Sequence, residues 1–189
     1  MKIPSLPHIV LLFFLGGVFL HFLLAGARTF HWRGMDADAG AMISQFSFVF
    51  FGTVPIWLIG LYQPIHFPNG VFAACILVAS IGQYEWARHT IWGHRFGVGW
   101  GAHVPDELVE RGPYRFVRHP LYASYVLAFI AAFVALPHWI TALLVVANIA
   151  LFAHAARTDE RRIAESPLAE EYAEYRERVG MFFPTSASE

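Results

Sequence analysis

The sequence predicts an all-α integral membrane protein, a bundle of five transmembrane helices. Hydrophobic residues make up 57% of the 189 positions and charged residues only 14%, against about 25% charged residues in soluble domains. Eighteen phenylalanines and six tryptophans are difficult to bury inside one soluble domain of this size. Five apolar stretches also approach the roughly 20 residues that a helix needs to cross a bilayer. A water-soluble enzyme of ordinary composition is therefore disfavoured.

The five predicted spans form one membrane domain, residues 1–189, without internal repeats. Short linkers predict two helical hairpins: QPIHFPNG joins the second span to the third, and little more than Pro137 and His138 joins the fourth to the fifth. We interpret the first stretch as a span, because it is long for a signal peptide and no small-residue cleavage site closes it. The predicted spans cover about residues 8–27, 41–62, 71–89, 120–136 and 139–156, and a C-terminal segment covers 157–189.

The distribution of cations predicts the orientation. Two arginines follow the first span, five lie between the end of the third and the start of the fourth, and five follow the fifth, so that Lys2 alone among thirteen cations lies on the other side. Lys and Arg are retained on the cytoplasmic side of short loops. We expect a cytoplasmic C-terminus, an external N-terminus and a bacterial-type inner membrane. A net charge of −1 gives no basis for a nucleic-acid partner.

Two hydrophilic stretches on the predicted cytoplasmic side exceed what a connector needs. The first ends with ELVERGPYRFVRHPLY, in which Arg118 and His119 stand just before the fourth span. Anchoring by snorkelling would explain the arginine, but it explains less well a histidine held between an arginine and a proline. The second stretch repeats apolar residues at helical spacing, which predicts an amphipathic helix packed over the ends of the bundle. That apolar face consists of Leu168, Tyr172, Tyr175 and Val179.

These two stretches together carry a resemblance. GPYRFVRHPLY is followed about forty residues later by the acidic doublet Asp159-Glu160 and then by Y-x-x-Y-x-x-x-V. The pattern resembles the isoprenylcysteine carboxyl methyltransferase family and its phospholipid N-methyltransferase relatives, over about Leu108 to Pro184. The resemblance implies an S-adenosylmethionine-dependent methyltransferase whose cofactor pocket is formed by the cytoplasmic loop and the C-terminal helix. It also implies a lipophilic small-molecule or lipid acceptor that enters from the bilayer and a site facing the cytoplasm.

The resemblance also implies individual roles. In the family, an acidic residue holds the polar end of the cofactor. That position falls on Glu160 if the spacing is counted back from Tyr172, and on Asp159 if the acidic doublet is aligned directly with the family's acid. We prefer Glu160. Arg157, shifted by about one residue from the family's arginine, would meet the acceptor carboxylate. The implied cofactor-binding residues are Leu108, Val109, Tyr114, His119, Tyr122 and Glu160, and the implied catalytic residues are Arg157, Arg118 and His119.

The chemistry of the acceptor decides which of these side chains matters. A carboxylate acceptor needs no base, only positioning and removal of water, and an arginine can hold it through two hydrogen bonds. Arg157 or Arg118 fits that role. An amine or thiol acceptor must lose a proton, for which His119 is the candidate base. The resemblance implies a carboxylate of isoprenylcysteine type, whereas the residues alone leave amine, thiol and phenol acceptors, and the oligomeric state, open.

Other readings of the sequence receive less support. A membrane reductase of steroid-reductase type would bind NADPH at similar helix ends, and a non-enzymatic interaction protein would use its arginines for topology alone. Three histidines, His89, His94 and His103, have spacings that match no helical ligand pair, so we predict no metal site. Glu85 and Arg88 lie one helical turn apart and are predicted to pair with each other.

Overall fold

The computed structural model describes residues 6–31, 52–92 and 107–185, including the side chains of 8–25 in the first range. Regular structure in these ranges is helical, apart from one isolated bridge between Val117 and Gly180. The all-α prediction is therefore confirmed for the part of the chain that the structure describes. The helices are α1 Leu6–His31, α2 Gly52–Tyr62, α3 Phe67–Thr90, a 3-10 helix Gly112–Arg115, α4 Pro120–Ala135, α5 Trp139–Ala164 and α6 Ala169–Arg178.

Three of these helices, α1, α3 and α5, are long and apolar enough to cross a membrane, whereas α2 and α4 are shorter apolar helices. This composition is typical of an all-α membrane protein. The count of five spans stays a prediction, and residues 41–51 of the predicted second span lie outside the described residues.

Proline and capping residues set where the helices begin. Pro120 is the first residue of α4, a position where the missing N–H breaks no helical hydrogen bond. α5 begins after a capping box, in which Ile140 N donates to His138 Nδ1 and His138 N donates to Thr141 Oγ1, each at 3.2 Å. The predicted tight linker between the fourth and fifth spans is thereby confirmed.

Two helices are longer than predicted. α3 begins at Phe67 rather than near 71, with a proline in its first turn. α5 continues to Ala164, about two turns past the predicted end at 156, because no glycine or proline interrupts the chain before Pro167 and a helix does not need to end where lipid ends. The acidic doublet therefore lies on a helical extension of α5 and not on a loop.

The core lies where α1, α3 and α4 meet. α4 turns a face of fully buried alanines inward, and small residues allow close helix packing in membranes. Ser80 Oγ on α3 donates to Ser124 O on α4 at 2.7 Å. His8 is buried on α1: Ile65 N donates to its Nδ1 at 3.0 Å, so its Nε2 donates to Gly60 O at 2.5 Å. His8 thus fastens α1 to the hairpin of α2 and α3.

Candidate active site

The loop that leads into α4 depends on a glycine. Gly112 has a φ of +61°, a conformation that residues with a Cβ rarely adopt, and a Cβ there would also collide with Thr90 Oγ1. The following residues Pro113 and Tyr114 are buried. The glycine of the GPY motif therefore sets the turn that carries the chain to Arg118 and His119.

Residues 179–185, which we call the C-terminal strap, pack back on that loop. Arg118 N donates to Gly180 O at 2.9 Å and His119 N donates to Met181 O at 3.1 Å. Gly180 permits the close approach, since a Cβ at this position would overlap Phe183 O. The Arg118 side chain adds hydrogen bonds from Nη1 to Arg176 O, at 3.0 Å, and to Val179 O. The backbone before α4 is thus fixed by residues about sixty positions later.

A buried ion pair joins this loop to α5. Glu160 Oε1 accepts hydrogen bonds from Arg118 Nε at 3.0 Å and from His119 Nε2 at 3.1 Å, and we call these three residues the Glu160 cluster. Only 6% of the Glu160 side chain and 8% of the Arg118 side chain are exposed. A buried carboxylate is costly unless it is paired and hydrogen-bonded. Glu160 is therefore held as a carboxylate by two partners, and His119 must carry its proton on Nε2 to donate.

The second acid of the doublet lies in the same region. Tyr122 OH donates to Asp159 Oδ2 at 2.9 Å. The Tyr122 ring stacks between His119, at 5.6 Å between centroids, and Phe152, at 5.3 Å. Both acids thus contact residues of the R-H-P-x-Y motif, so the choice between Asp159 and Glu160 as the cofactor-binding acid stays a prediction.

The amphipathic helix predicted near the C-terminus is confirmed in α6, which buries Tyr172 and Tyr175. Tyr175 OH donates to Tyr114 O at 2.5 Å. The hydroxyl of Tyr172 is buried near Glu160 but has no partner at hydrogen-bond geometry among the described residues. Burial, and after it the negative charge of Glu160, raise the pKa of Tyr172, so the hydroxyl stays protonated. A buried donor that lacks a well-formed hydrogen bond is costly, and Glu160 is the acceptor with which the Tyr172 hydroxyl interacts.

The remaining predicted residues lie at different distances from this cluster. Val109 is buried in the main core, and Leu108 is half-buried against Tyr172 and Tyr175. Arg157 is exposed; its carbonyl oxygen accepts from Arg161 Nε at 3.3 Å, and the described residues give its guanidinium no hydrogen bond. Arg157 is thus near the site in sequence, but it belongs to no described network.

An apolar cavity of about 600 Å³ lies beside the Glu160 cluster. Phe182 of the strap lines the cavity, and its ring centroid is 6.3 Å from that of His119. No local sequence pattern predicts this cavity, because its lining comes from three helices, the 3-10 helix, the residues just after it and the strap. Small residues one turn apart on α3 were the available signal. The lining residues are Ala79, Gly82, Gln83, Trp86, Pro113, Phe116, Val117, Ala123, Val126, Leu127, Ile130, Ile149, Phe182, Phe183 and Pro184.

Comparison with known protein families matches residues 70–165 to the isoprenylcysteine carboxyl methyltransferase family. Searches of curated proteins and of solved structures return no match. The matched range is about half of the chain and contains the loop, α4, α5 and all three residues of the Glu160 cluster. The chain therefore belongs to the isoprenylcysteine carboxyl methyltransferase family and is a membrane methyltransferase.

Proposed function

We propose that this protein transfers a methyl group from S-adenosylmethionine to a lipophilic acceptor, most favourably a carboxylate of isoprenylcysteine type. The observation that carries the proposal is that a buried polar cluster and an apolar cavity adjoin at one side chain, Phe182. A charged cofactor needs a polar binding site, and a lipid-borne acceptor needs an apolar one. The two sites must adjoin, because methyl transfer requires the reacting atoms about 3 to 3.5 Å apart in line.

The donor set around Glu160 fits the cofactor. S-adenosylmethionine carries a sulfonium and an α-amino group, which carboxylates such as Glu160 or Asp159 complement, and a carboxylate, to which the Tyr172 hydroxyl could donate. The stacking of His119 on Tyr122 orients both side chains beside the acidic doublet. When bound, the cofactor supplies an electrophilic methyl group. Proposed contacts to it are Leu108, Val109, Tyr114, His119, Tyr122 and Glu160.

The proposed acceptor site combines the cavity with an arginine. The cavity has room for a long apolar group, and several of its lining residues lie well inside α3 and α4. Arg118 already donates to Glu160 and to two carbonyl oxygens, so it serves best as a positioning residue. Arg157 retains its hydrogen-bonding capacity, which supports it as the group that holds an acceptor carboxylate. An amine or thiol acceptor would instead need His119 as base.

Calorimetric titration of the purified protein in detergent tests the cofactor. We expect S-adenosylhomocysteine to bind and NADPH not to bind; the opposite result would favour the reductase. Incubation of a membrane lipid extract with methyl-labelled S-adenosylmethionine should then yield a labelled lipophilic product whose base lability distinguishes a methyl ester from a methylated amine. Cofactor binding without any labelled product would support the non-enzymatic interpretation.

The proposed orientation has five spans, an external N-terminus and the site on the cytoplasmic side. Reporter fusions after Pro137 and after Glu189 test it, because the two positions should lie on opposite sides of the membrane. A cytoplasmic signal from the fusion after Pro137 would contradict this arrangement.

A further inference from the structure

The outward side of α5 joins an apolar surface to a cationic one. Its exposed residues recur at steps of three or four, the spacing that keeps side chains on one side of a helix. Leu143 and Val146 are 58% and 64% exposed, and the side ends in a histidine and two arginines. The exposed residues on this side are Leu143, Val146, Ala150, His154, Arg157 and Arg161. In a membrane, the surface that contacts acyl chains therefore continues directly into the cationic one.

Arg161 turns its side chain back towards the apolar part of α5. Its Nη2 donates to Thr158 Oγ1 at 3.4 Å and its Nε donates to Arg157 O at 3.3 Å, about one turn closer to the bilayer. No described carboxylate pairs with Arg161, whereas Arg118 and Arg178 each pair with a glutamate. The charge of Arg161 is therefore held near the point where α5 leaves lipid, and it is not neutralised there.

His154 adds a second donor one turn nearer to the bilayer. Thr158 Oγ1 donates to His154 O at 3.0 Å, and the described residues give the exposed His154 ring no hydrogen bond. An imidazole N–H and a guanidinium both donate to phosphate oxygens. The exposed acid that follows on this side, Glu165, is the C-cap of α5 and lies one turn beyond Arg161, farther from lipid. This side of α5 is thus suited to an anion at the membrane boundary.

We propose that His154 and Arg161, which we call the α5 patch, bind the headgroup phosphate of an anionic phospholipid. Its acyl chains lie along Leu143 and Val146. Charge complementarity and the continuous apolar surface identify the occupant, because a free phosphate or an acidic protein would use the cations alone. The lipid is a bound partner and not the methyl acceptor, since the patch is exposed on a different side of α5 from the buried Glu160.

Native mass spectrometry of the purified protein tests the proposal with two lipids of identical acyl chains, phosphatidylglycerol and phosphatidylcholine. The wild-type protein should bind phosphatidylglycerol at least about fivefold more tightly, the gain that one cation near an anionic headgroup provides. Arg161→Gln should lose about fivefold in this affinity, and His154→Gln should lose less, because it removes one hydrogen bond. Both variants keep Arg157, which is proposed to hold the acceptor.

Arg178→Gln is the matched control. It removes the same charge from an exposed arginine of α6 that donates to Glu110 at 3.1 Å, outside the α5 patch. The control should keep the preference for phosphatidylglycerol. Equal losses in Arg161→Gln and Arg178→Gln would mean that only net charge matters, which would overturn the proposal. Equal affinities of the wild-type protein for the two lipids would also overturn it and would leave this side of α5 to an acidic protein partner.

Thermal unfolding in detergent separates a lipid from a free phosphate. Phosphatidylglycerol should raise the unfolding midpoint of the wild-type protein more than that of Arg161→Gln, whereas inorganic phosphate at the same concentration should raise neither. A rise with inorganic phosphate equal to that with the lipid would overturn the assignment to a lipid. These measurements use neither cofactor nor methyl acceptor, so their outcome is independent of the proposed function.

Discussion

Two clusters that combine a glutamate with arginine and histidine side chains occur among the described residues, and they differ in burial and in origin. Glu85 on α3 contacts Arg88 at 2.5 Å and His21 of α1 at 2.8 Å. Glu160 contacts Arg118 and His119, 42 and 41 residues earlier in the sequence. The Glu85 side chain is 25% exposed and that of Glu160 is 6% exposed.

The comparison shows that composition does not decide what such a cluster does. Ion pairs exposed to water contribute about 0–1 kcal/mol, whereas removing one partner of a buried pair costs about 3–5 kcal/mol because the other charge stays buried. The Glu85 cluster joins two helices near a boundary. The Glu160 cluster combines a buried carboxylate with a stacked aromatic pair and the buried hydroxyl of Tyr172, which together resemble a ligand site.

The largest effect is expected for Glu160→Ala. The substitution leaves Arg118 buried without its carboxylate, so we expect a loss of about 3–5 kcal/mol in the free energy of unfolding and loss of S-adenosylhomocysteine binding. Thermal unfolding in detergent and calorimetry measure the two effects. Glu160→Gln keeps the shape and should fold better but still bind weakly. Glu85→Ala is the matched control: because its cluster is only half-buried, it should lose less free energy of unfolding than Glu160→Ala while keeping its cofactor affinity, and equal losses in both would remove the distinction between the clusters.

The next effect concerns Arg157. With a carboxylate acceptor, Arg157→Lys should lower turnover about tenfold, because an ammonium cannot reproduce the two parallel hydrogen bonds of a guanidinium, and cofactor affinity should not change. The rate should rise with pH through the acceptor's pKa, near 4 to 5 for an exposed carboxyl group, and be level above it.

An amine or thiol acceptor gives the opposite pattern. The rate would then rise towards the acceptor's own, higher pKa, Arg157→Lys would be tolerated, and His119→Gln would lose activity. If both variants turn over normally, neither Arg157 nor His119 has its proposed role.

A smaller effect is expected for Tyr122→Phe, which removes the hydrogen bond to Asp159 but keeps the stacked ring. We expect a loss of about 1 kcal/mol in the free energy of unfolding. A matched pair, Asp159→Asn and Glu160→Gln, then identifies the cofactor-binding acid: the Glu160 variant should lose more affinity for S-adenosylhomocysteine. A greater loss in the Asp159 variant would reverse our preference.

The smallest effect is expected for His21→Gln. Its side chain is 41% exposed, and its contact with Glu85 should contribute less than about 1 kcal/mol. Cofactor affinity should stay the same. A loss of affinity similar to that of His119→Gln would mean that the two clusters act together.

The same comparison explains what the sequence could predict. The contact between Glu85 and Arg88 follows from helical spacing alone, and the structure confirms it. The partners of Glu160 lie far away in sequence, and no periodicity connects them; a motif resemblance singled them out instead. The contacts of Met181 and Phe182 with the loop, and the cavity beside them, depend on how several elements pack, which local patterns do not encode. Hydropathy alone does not predict the extension of α5, because hydropathy falls after Ala156 whereas the helix continues to Ala164.

The length of α5 also relates the position of Glu160 to the thickness of a bilayer. It begins at Trp139, which is 70% exposed, and tryptophan favours the membrane–water interface. At 1.5 Å per residue, Glu160 lies roughly 32 Å along the same rod, close to the hydrocarbon thickness of about 30 Å. A thicker bilayer would draw the carboxylate towards acyl chains and a thinner one would move it into water. We therefore expect turnover to depend on acyl-chain length in the host membrane, without a change to any residue of the protein.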